Sequence, residues 1–153
     1  MSANHVRAQI RALFYTRLRG VGITDAGLNV FNSRVTPYEQ GQLPAINITS
    51  GGEQIERGAM GSPTPRQDRS VDMRFDVIAQ AGEGTADLLD KICAQIETRI
   101  APGAWSQSLI FDIEVTGIDE VFDGDGTAKA GQLRLIAQVH YSTNEGAPTV
   151  AAN

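Results

Sequence analysis

The stretch from Ser70 to Ile100 places a strand-like pattern directly before a helix-like pattern, with only a short glycine-containing turn between them. In an extended chain, alternate residues point to the same side, and from Val71 to Ala79 that side is apolar. After Gly84 the apolar residues recur at helical spacing instead: Leu89, Ile92, Cys93, Ile96 and Ile100. We therefore expect a half-buried strand whose apolar face is covered by the helix that follows it.

Length and composition limit the classes of protein to which the chain can belong. Its 153 residues, 41% of them hydrophobic, suffice for one ordinary core, so we predict one domain over residues 1–143 and a flexible C-terminal tail over residues 144–153. No apolar run approaches the roughly 20 residues that cross a bilayer, and no apolar signal segment is visible. The single cysteine, Cys93, excludes internal disulfides and is expected in the core. We expect a soluble protein that is not secreted by a signal peptide.

Further elements are predicted on both sides of the central pair. An amphipathic helix, capped by Ser2 or Asn4, should begin near Val6 and end at Gly20. Short strands are expected at 28–36, 43–49, 109–116 and 133–141, and an acidic turn at 119–126. This order predicts an α+β fold, a mixed or antiparallel sheet of about four to five strands with two helices packed on one face.

Residues 50–67 differ in composition from the elements around them. Six glycines and prolines interrupt the segment, and only Ile55 and Met60 are clearly apolar. We predict a long loop, which in compact domains is uncommon and is often functional. The alternative is a mobile connection without a role of its own.

No constellation in the sequence indicates catalysis, a cofactor or a metal ion. Gly82 and Gly84 lack the third glycine of a dinucleotide-binding turn, so we expect Thr85 to cap the helix there. Asp123 and Asp125 resemble the start of a calcium loop, but Arg134 occupies the position where a bidentate glutamate belongs. His5 and His140 lack recognisable partners, and His140 is expected to be exposed or at an interface. We predict a protein that is not an enzyme and that needs no cofactor; a small α+β enzyme is the different-class alternative.

Charge is distributed unevenly along the chain. Residues 1–74 carry nine arginines against six acids, whereas residues 75–153 carry four basic residues against twelve acids. Such an asymmetry suits a protein that presents different faces to different neighbours, including copies of itself, although scatter in a short chain is the alternative. Arginines collect around the predicted loop, but no aromatic residues interleave with them and the chain is acidic overall, so a general nucleic-acid groove is not expected.

The order of elements and several short phrases resemble the tail terminator family of long-tailed bacteriophages, that of the lambda-like minor tail protein U. The resemblance covers residues 5–142 and rests on layout. Its phrases are Val30 to Arg34, Pro37, Leu43-Pro44-Ala45-Ile46-Asn47-Ile48, the glycine-rich loop, Arg69 leading into Val71 to Val77, the Leu88 to Ile100 helix and Val139-His140-Tyr141.

The resemblance implies a virion protein, assembled in the cytoplasm of a bacterial host, that forms a hexameric ring on the tail tube. Such a ring ends tube polymerisation and presents a surface for head-tail joining. The implied partners are further copies of the chain, the major tail tube protein and a head-side connector, with room for DNA that passes through the lumen without sequence recognition. A head-tail connector or neck completion protein is the alternative function. Our own candidates for tube-facing or lumen-facing contacts are Arg57, Arg66, Arg69, Glu53 and Glu56.

Overall fold

The computed structural model describes residues 4–20, 23, 25–58, 64–123 and 130–152, and leaves aside the side chains of residues 40, 122 and 123. Within these ranges one five-stranded sheet has the strand order β1-β2-β3-β5-β4, and only the β1–β2 pair is parallel. This mixed sheet with two helices confirms the predicted α+β fold. The elements, in chain order, are α1 (Val6–Leu18), β1 (Val30–Asn32), β2 (Ala45–Arg57), β3 (Arg66–Gln80), α2 (Thr85–Ile100), β4 (Asp112–Asp123) and β5 (Ala130–Asn144), with single 3-10 turns at Gln40–Gln42 and Gly82–Gly84.

The core lies between one face of the sheet and the two helices. The alternating residues of β3 from Val71 to Ala79 are buried, as predicted, and the apolar stripe of α2 is buried against them. Helix α1 adds Phe14, whose ring meets Phe75 edge to face at a centroid distance of 5.3 Å. Each fully buried side chain of this size contributes about 1.5–3 kcal/mol. Cys93 belongs to the same core, as expected.

Strand structure occupies most of the segment that the sequence predicted to be a loop. Strand β2 continues to Arg57, and β3 begins at Arg66, so of residues 50–67 only 58–65 lie between the strands. A register shift between Ser50 and Glu53 accommodates Gly51 and Gly52 in the ladder. The backbone of β2 pairs with β3 without needing apolar side chains, which is why composition indicated a loop. Residues 59–63 lie outside the described residues.

Several predicted boundaries and caps also differ from the structure. The His5 side chain, rather than Ser2 or Asn4, caps α1 by accepting a hydrogen bond from the Arg7 amide, and Ser2 lies outside the described residues. Thr85 is the first residue of α2, and its hydroxyl bonds to the preceding turn instead of capping the helix. Strand β4 extends to Asp123, so the acidic residues 119–123 are strand and not turn.

The C-terminal residues fold back onto the body of the chain. Asn144 completes β5, and Ala151 bridges to Thr143. The Val6 amide at the start of α1 donates to the Pro148 carbonyl at 2.9 Å. Residues 144–152, predicted as a flexible tail, therefore contact both β5 and α1.

Candidate functional site

The outer part of the β2–β3 hairpin extends beyond β1 and is largely exposed, and we call its residues 50–57 and 66–70 the arm. Gln54, Ile55, Glu56 and Arg57 are all exposed, so solvent reaches both faces of β2 there. Strand β1 pairs only with Ile46, Asn47 and Ile48, so no strand among the described residues covers the outer edge of β2 along the arm. An uncovered strand edge is a ready contact surface for another chain.

Three of the five predicted contact residues lie on the surface of the arm. Arg57 forms an ion pair with Glu145 at 2.9 Å, with the two side chains 57% and 43% exposed. Arg66 contacts Asp68 at 3.1 Å and donates to the Ser142 hydroxyl at 2.9 Å. Glu56 is exposed and forms no ion pair within the described ranges. These three residues are placed where a neighbouring chain can reach them.

The other two predicted contact residues, Glu53 and Arg69, are buried against each other. Their side chains are 7% and 9% exposed and lie 3.1 Å apart, on the sheet face that the helices cover. The register shift before Glu53 produces this placement, because it aligns Glu53 with the core residue Val71. Their charges are therefore compensated within the fold.

Hydrogen bonds complete this buried ion pair. The Tyr141 hydroxyl donates to the Glu53 carboxylate, and Arg69 Nε donates to the Thr143 hydroxyl at 2.9 Å. Burial, together with the hydrogen bond to Glu53, raises the pKa of Tyr141, so the phenol stays protonated. Burial and the adjacent Arg69 lower the pKa of His5, against an opposing effect of Glu53. The group closes one end of the core beside the first turn of α1.

The sheet face opposite the helices carries a row of polar side chains across four strands. Gln54, Ser70, His140 and Asp112 are successive cross-strand neighbours, and they line a cavity of about 510 Å³ together with Asp68 and Ser142. The Ser70 hydroxyl lies 3.0 Å from His140 Nδ1. Sequence analysis missed this row, since its members are distant in sequence and only the strand register brings them together.

The row contains serine, histidine and aspartate but lacks the geometry of a catalytic triad. A triad needs a carboxylate that orients the histidine which activates the serine. Asp112 instead accepts a hydrogen bond from the Ile113 amide at 2.9 Å, and no bond within the described ranges joins it to His140. The row thus provides polar contact groups without a prepared nucleophile.

Neither a metal-binding cluster nor a membrane-spanning helix is found in the described part of the chain. Nowhere in the described ranges do three or more His, Cys, Asp or Glu side chains form a group that could hold a metal ion. The side chains of the calcium-like sequence at 123–126 lie outside the described residues. Within the same ranges, neither helix is long and apolar enough to span a membrane.

Comparison with solved structures gives a similarity in fold. No protein-family model matches the chain, and no curated protein sequence matches it. A chain of the virion of a native gene transfer agent particle is similar in structure, with a TM-score of 0.54 and 15% sequence identity. The alignment covers 86% of this chain and 94% of that chain. At this identity the similarity shows that the two chains share a fold.

Proposed function

We propose that this chain is a structural protein of a phage-like virion. The observation that carries the proposal is the similarity to a virion chain of a gene transfer agent particle over nearly the full length of both chains. The candidate site supports the proposal. The arm offers exposed ion pairs and an open strand edge, and the uncovered sheet face offers a row of polar side chains. These features suit contacts with other proteins better than they suit catalysis, so we propose a protein that is not an enzyme.

Within the virion, we place the chain at the end of the tail tube that faces the head. There it forms a ring, with hexameric symmetry as the resemblance implies, that ends tube polymerisation and takes part in head-tail joining. Its neighbours are then the major tail tube protein, the head-side connector and further copies of itself. Arg57, Arg66 and Glu56 of the arm are its candidate contacts with the tube or with the lumen through which DNA passes.

The proposal is tested by deleting the gene in the cell that produces the particles and imaging what assembles. A tail terminator limits tube growth, so its loss should give tubes of abnormal and variable length together with heads that lack tails. A connector or neck protein would instead leave tails of normal length that fail to join heads. Particles that assemble normally without the chain would contradict both functions.

Complementation makes the same experiment specific for the arm. Charge reversal of Arg57 and Arg66 to glutamate should fail to restore tail length, whereas reversal of Glu83, which is exposed in the turn after β3, should restore it.

Imaging of particles with a tag on the chain should place it between tube and head. A tag elsewhere on the particle would exclude the proposed position.

A further inference from the structure

The two lateral edges of the sheet carry opposite charge. Strand order places β1 at one edge and β4 at the other, and charged side chains of opposite sign lie beside the two edges. Strand β4 has no basic residue, and among its described side chains four carboxylates are exposed: Asp112, Glu114, Asp119 and Glu120. We call this surface the acidic edge.

The opposite surface is formed by α1 and the chain around β1. Arg7 and Arg11 lie one turn apart on the same side of α1, and Arg19 follows its last residue. The hydrogen bonds of Arg11 to Asn32 at 2.7 Å and of Arg19 to the Leu28 carbonyl at 3.5 Å place these two arginines beside β1 and the chain before it. None of these three guanidinium groups forms an ion pair with a carboxylate in the described part of the chain. We call this surface the basic edge.

The carboxylates of the acidic edge are only partly balanced within the fold. Arg134 of β5 lies opposite Asp119, whereas the other three carboxylates form no ion pair in the described ranges. On the acidic edge, Glu120 lies beside Asp90 of α2, and partial desolvation together with this neighbouring carboxyl group raises the pKa of Glu120. Two neighbouring carboxyl groups are relieved by a cation placed close to them. The unpaired arginines of the basic edge supply such cations.

Apolar side chains are exposed on both edges as well. Val121 and Ile118 on β4 are 64% and 46% exposed, and Val35 and Leu28 near β1 are 95% and 65% exposed. The outer edge of β4 also lacks a strand partner in the described ranges. Long exposed edges with apolar side chains promote association with another chain.

We propose that the acidic edge of one copy docks against the basic edge of the next copy, head to tail. Charge complementarity selects a second copy of this chain as the occupant, because each edge carries what the other lacks. Like charges oppose pairing of identical edges, so a symmetric dimer through either edge is disfavoured. A head-to-tail contact repeats around a ring when the rotation closes. The contact between the two edges is argued independently of the proposed function; only its closure into a ring rests on that function.

The contact is tested by charge reversal and sedimentation velocity of the whole chain. The wild type should associate between micromolar and millimolar concentration at low salt, and less so at high salt, because salt screens exposed charges. Arg7→Glu with Arg19→Glu reverses the basic edge and leaves the Arg11 hydrogen bonds intact. Glu114→Lys with Glu120→Lys reverses the acidic edge. Each double variant alone should associate about 100-fold more weakly, since like charges are then juxtaposed.

An equimolar mixture of the two double variants decides the matter. Each interface in an alternating assembly again joins unlike charges, so association should return to near the wild-type level. Glu83→Lys with Asp87→Lys, which reverses two exposed acids at the start of α2, is the matched control and should behave as the wild type. A mixture that remains monomeric while both variants are folded would overturn the proposal, as would a wild type that is monomeric throughout.

Circular dichroism and thermal unfolding establish that each variant is folded. If a reversal unfolds the chain, the neutral variants Arg7→Gln with Arg19→Gln and Glu114→Gln with Glu120→Gln replace it, and each should weaken association. If the edges serve only to prevent aggregation, the wild type stays monomeric and the proposal fails. Rescue in the mixture together with normal particles after gene deletion would uphold the contact and reject the proposed function.

Discussion

Arg69 and Glu53 illustrate how single charged residues divide between fold and surface. Both were candidate contact residues on the basis of their position around a predicted loop, yet both are nearly buried and are satisfied by each other, Tyr141 and Thr143. A buried charge that loses its partner costs far more than an exposed one, because water no longer solvates it. Two of the three arginines of the candidate set, Arg69 and Arg57, should therefore respond differently to truncation.

Arg69→Ala should lower the free energy of unfolding by about 3–5 kcal/mol, since it leaves the Glu53 carboxylate buried without a counter-charge. Arg57→Ala, the matched control, removes the arginine of an exposed ion pair and should cost at most about 1 kcal/mol. Urea denaturation of both variants at neutral pH measures the difference. If the two variants lost the same free energy of unfolding, the ion pair of Arg69 with Glu53 would not act as a buried structural pair.

Cys93 should be nearly inert towards alkylation in the folded protein. Burial raises the pKa of its thiol to about 11 from an ordinary 9.0, and the nearby Glu97, Asp90 and Glu120 act in the same direction. The reactive thiolate should then be about 100-fold scarcer near pH 8 than for an ordinary thiol, before access is considered. Iodoacetamide labelling followed by mass spectrometry, with and without urea, measures the rate; fast labelling of the native chain would contradict the burial.

At the scale of elements, sequence analysis correctly predicted the strands and helices whose pattern of apolar side chains shows which face is buried. Strand β3 and helix α2 alternate and repeat as buried elements do, so their faces were predicted correctly. The arm gave no such signal, because both faces of β2 are exposed from Gln54 to Arg57. Its strand structure follows from backbone pairing with β3, which is itself held by β5 along its full length.

The candidate site was predictable only in part for a related reason. The structure places Arg57, Arg66 and Glu56 on the surface of the arm, and their role as contact residues stays a prediction. The register shift at Gly51 and Gly52, which decides that Glu53 faces the core, has no periodic signature in the sequence. The polar row of Ser70, His140 and Asp112 depends equally on register between strands far apart in the chain.

Gly58 should be essential to the closed end of the arm. Its amide donates to the Arg66 carbonyl at 2.6 Å, and an added Cβ would lie 2.9 Å from that same oxygen. Gly58→Ala therefore forces the two strands apart, and we expect it to lower the free energy of unfolding by about 1–3 kcal/mol. Thermal unfolding and limited proteolysis of the arm measure the effect.

Gly52→Ala is the control for this substitution in the same strand. A Cβ at Gly52 meets no atom within 4 Å, so the change should stay within about 0.5 kcal/mol of the wild type. If both variants are equally stable, the close approach at Gly58 does not constrain the arm.

At the scale of the whole molecule, the sheet has one face covered by helices, one polar face and two open edges of opposite charge. The covered face supplies the stability, which leaves the polar face and the edges available for neighbours. The polar face and the edges offer contact groups in several directions, which is what the proposed ring subunit would need. The fold is shared with a chain of the virion of a native gene transfer agent particle.

If copies meet through their lateral edges, hydrogen exchange should report it along β4. Outward-facing amides of β4 lack strand partners in the described ranges and should exchange fast in the monomer, then slow down when a neighbour covers them. Amides of β3, which pairs on both sides, should not change. Mass spectrometry compares the wild type with Arg7→Glu plus Arg19→Glu at one concentration, where only the wild type assembles. If the wild type assembles but its β4 amides exchange as fast as those of the variant, the contact lies on another surface, and the arm is the next candidate.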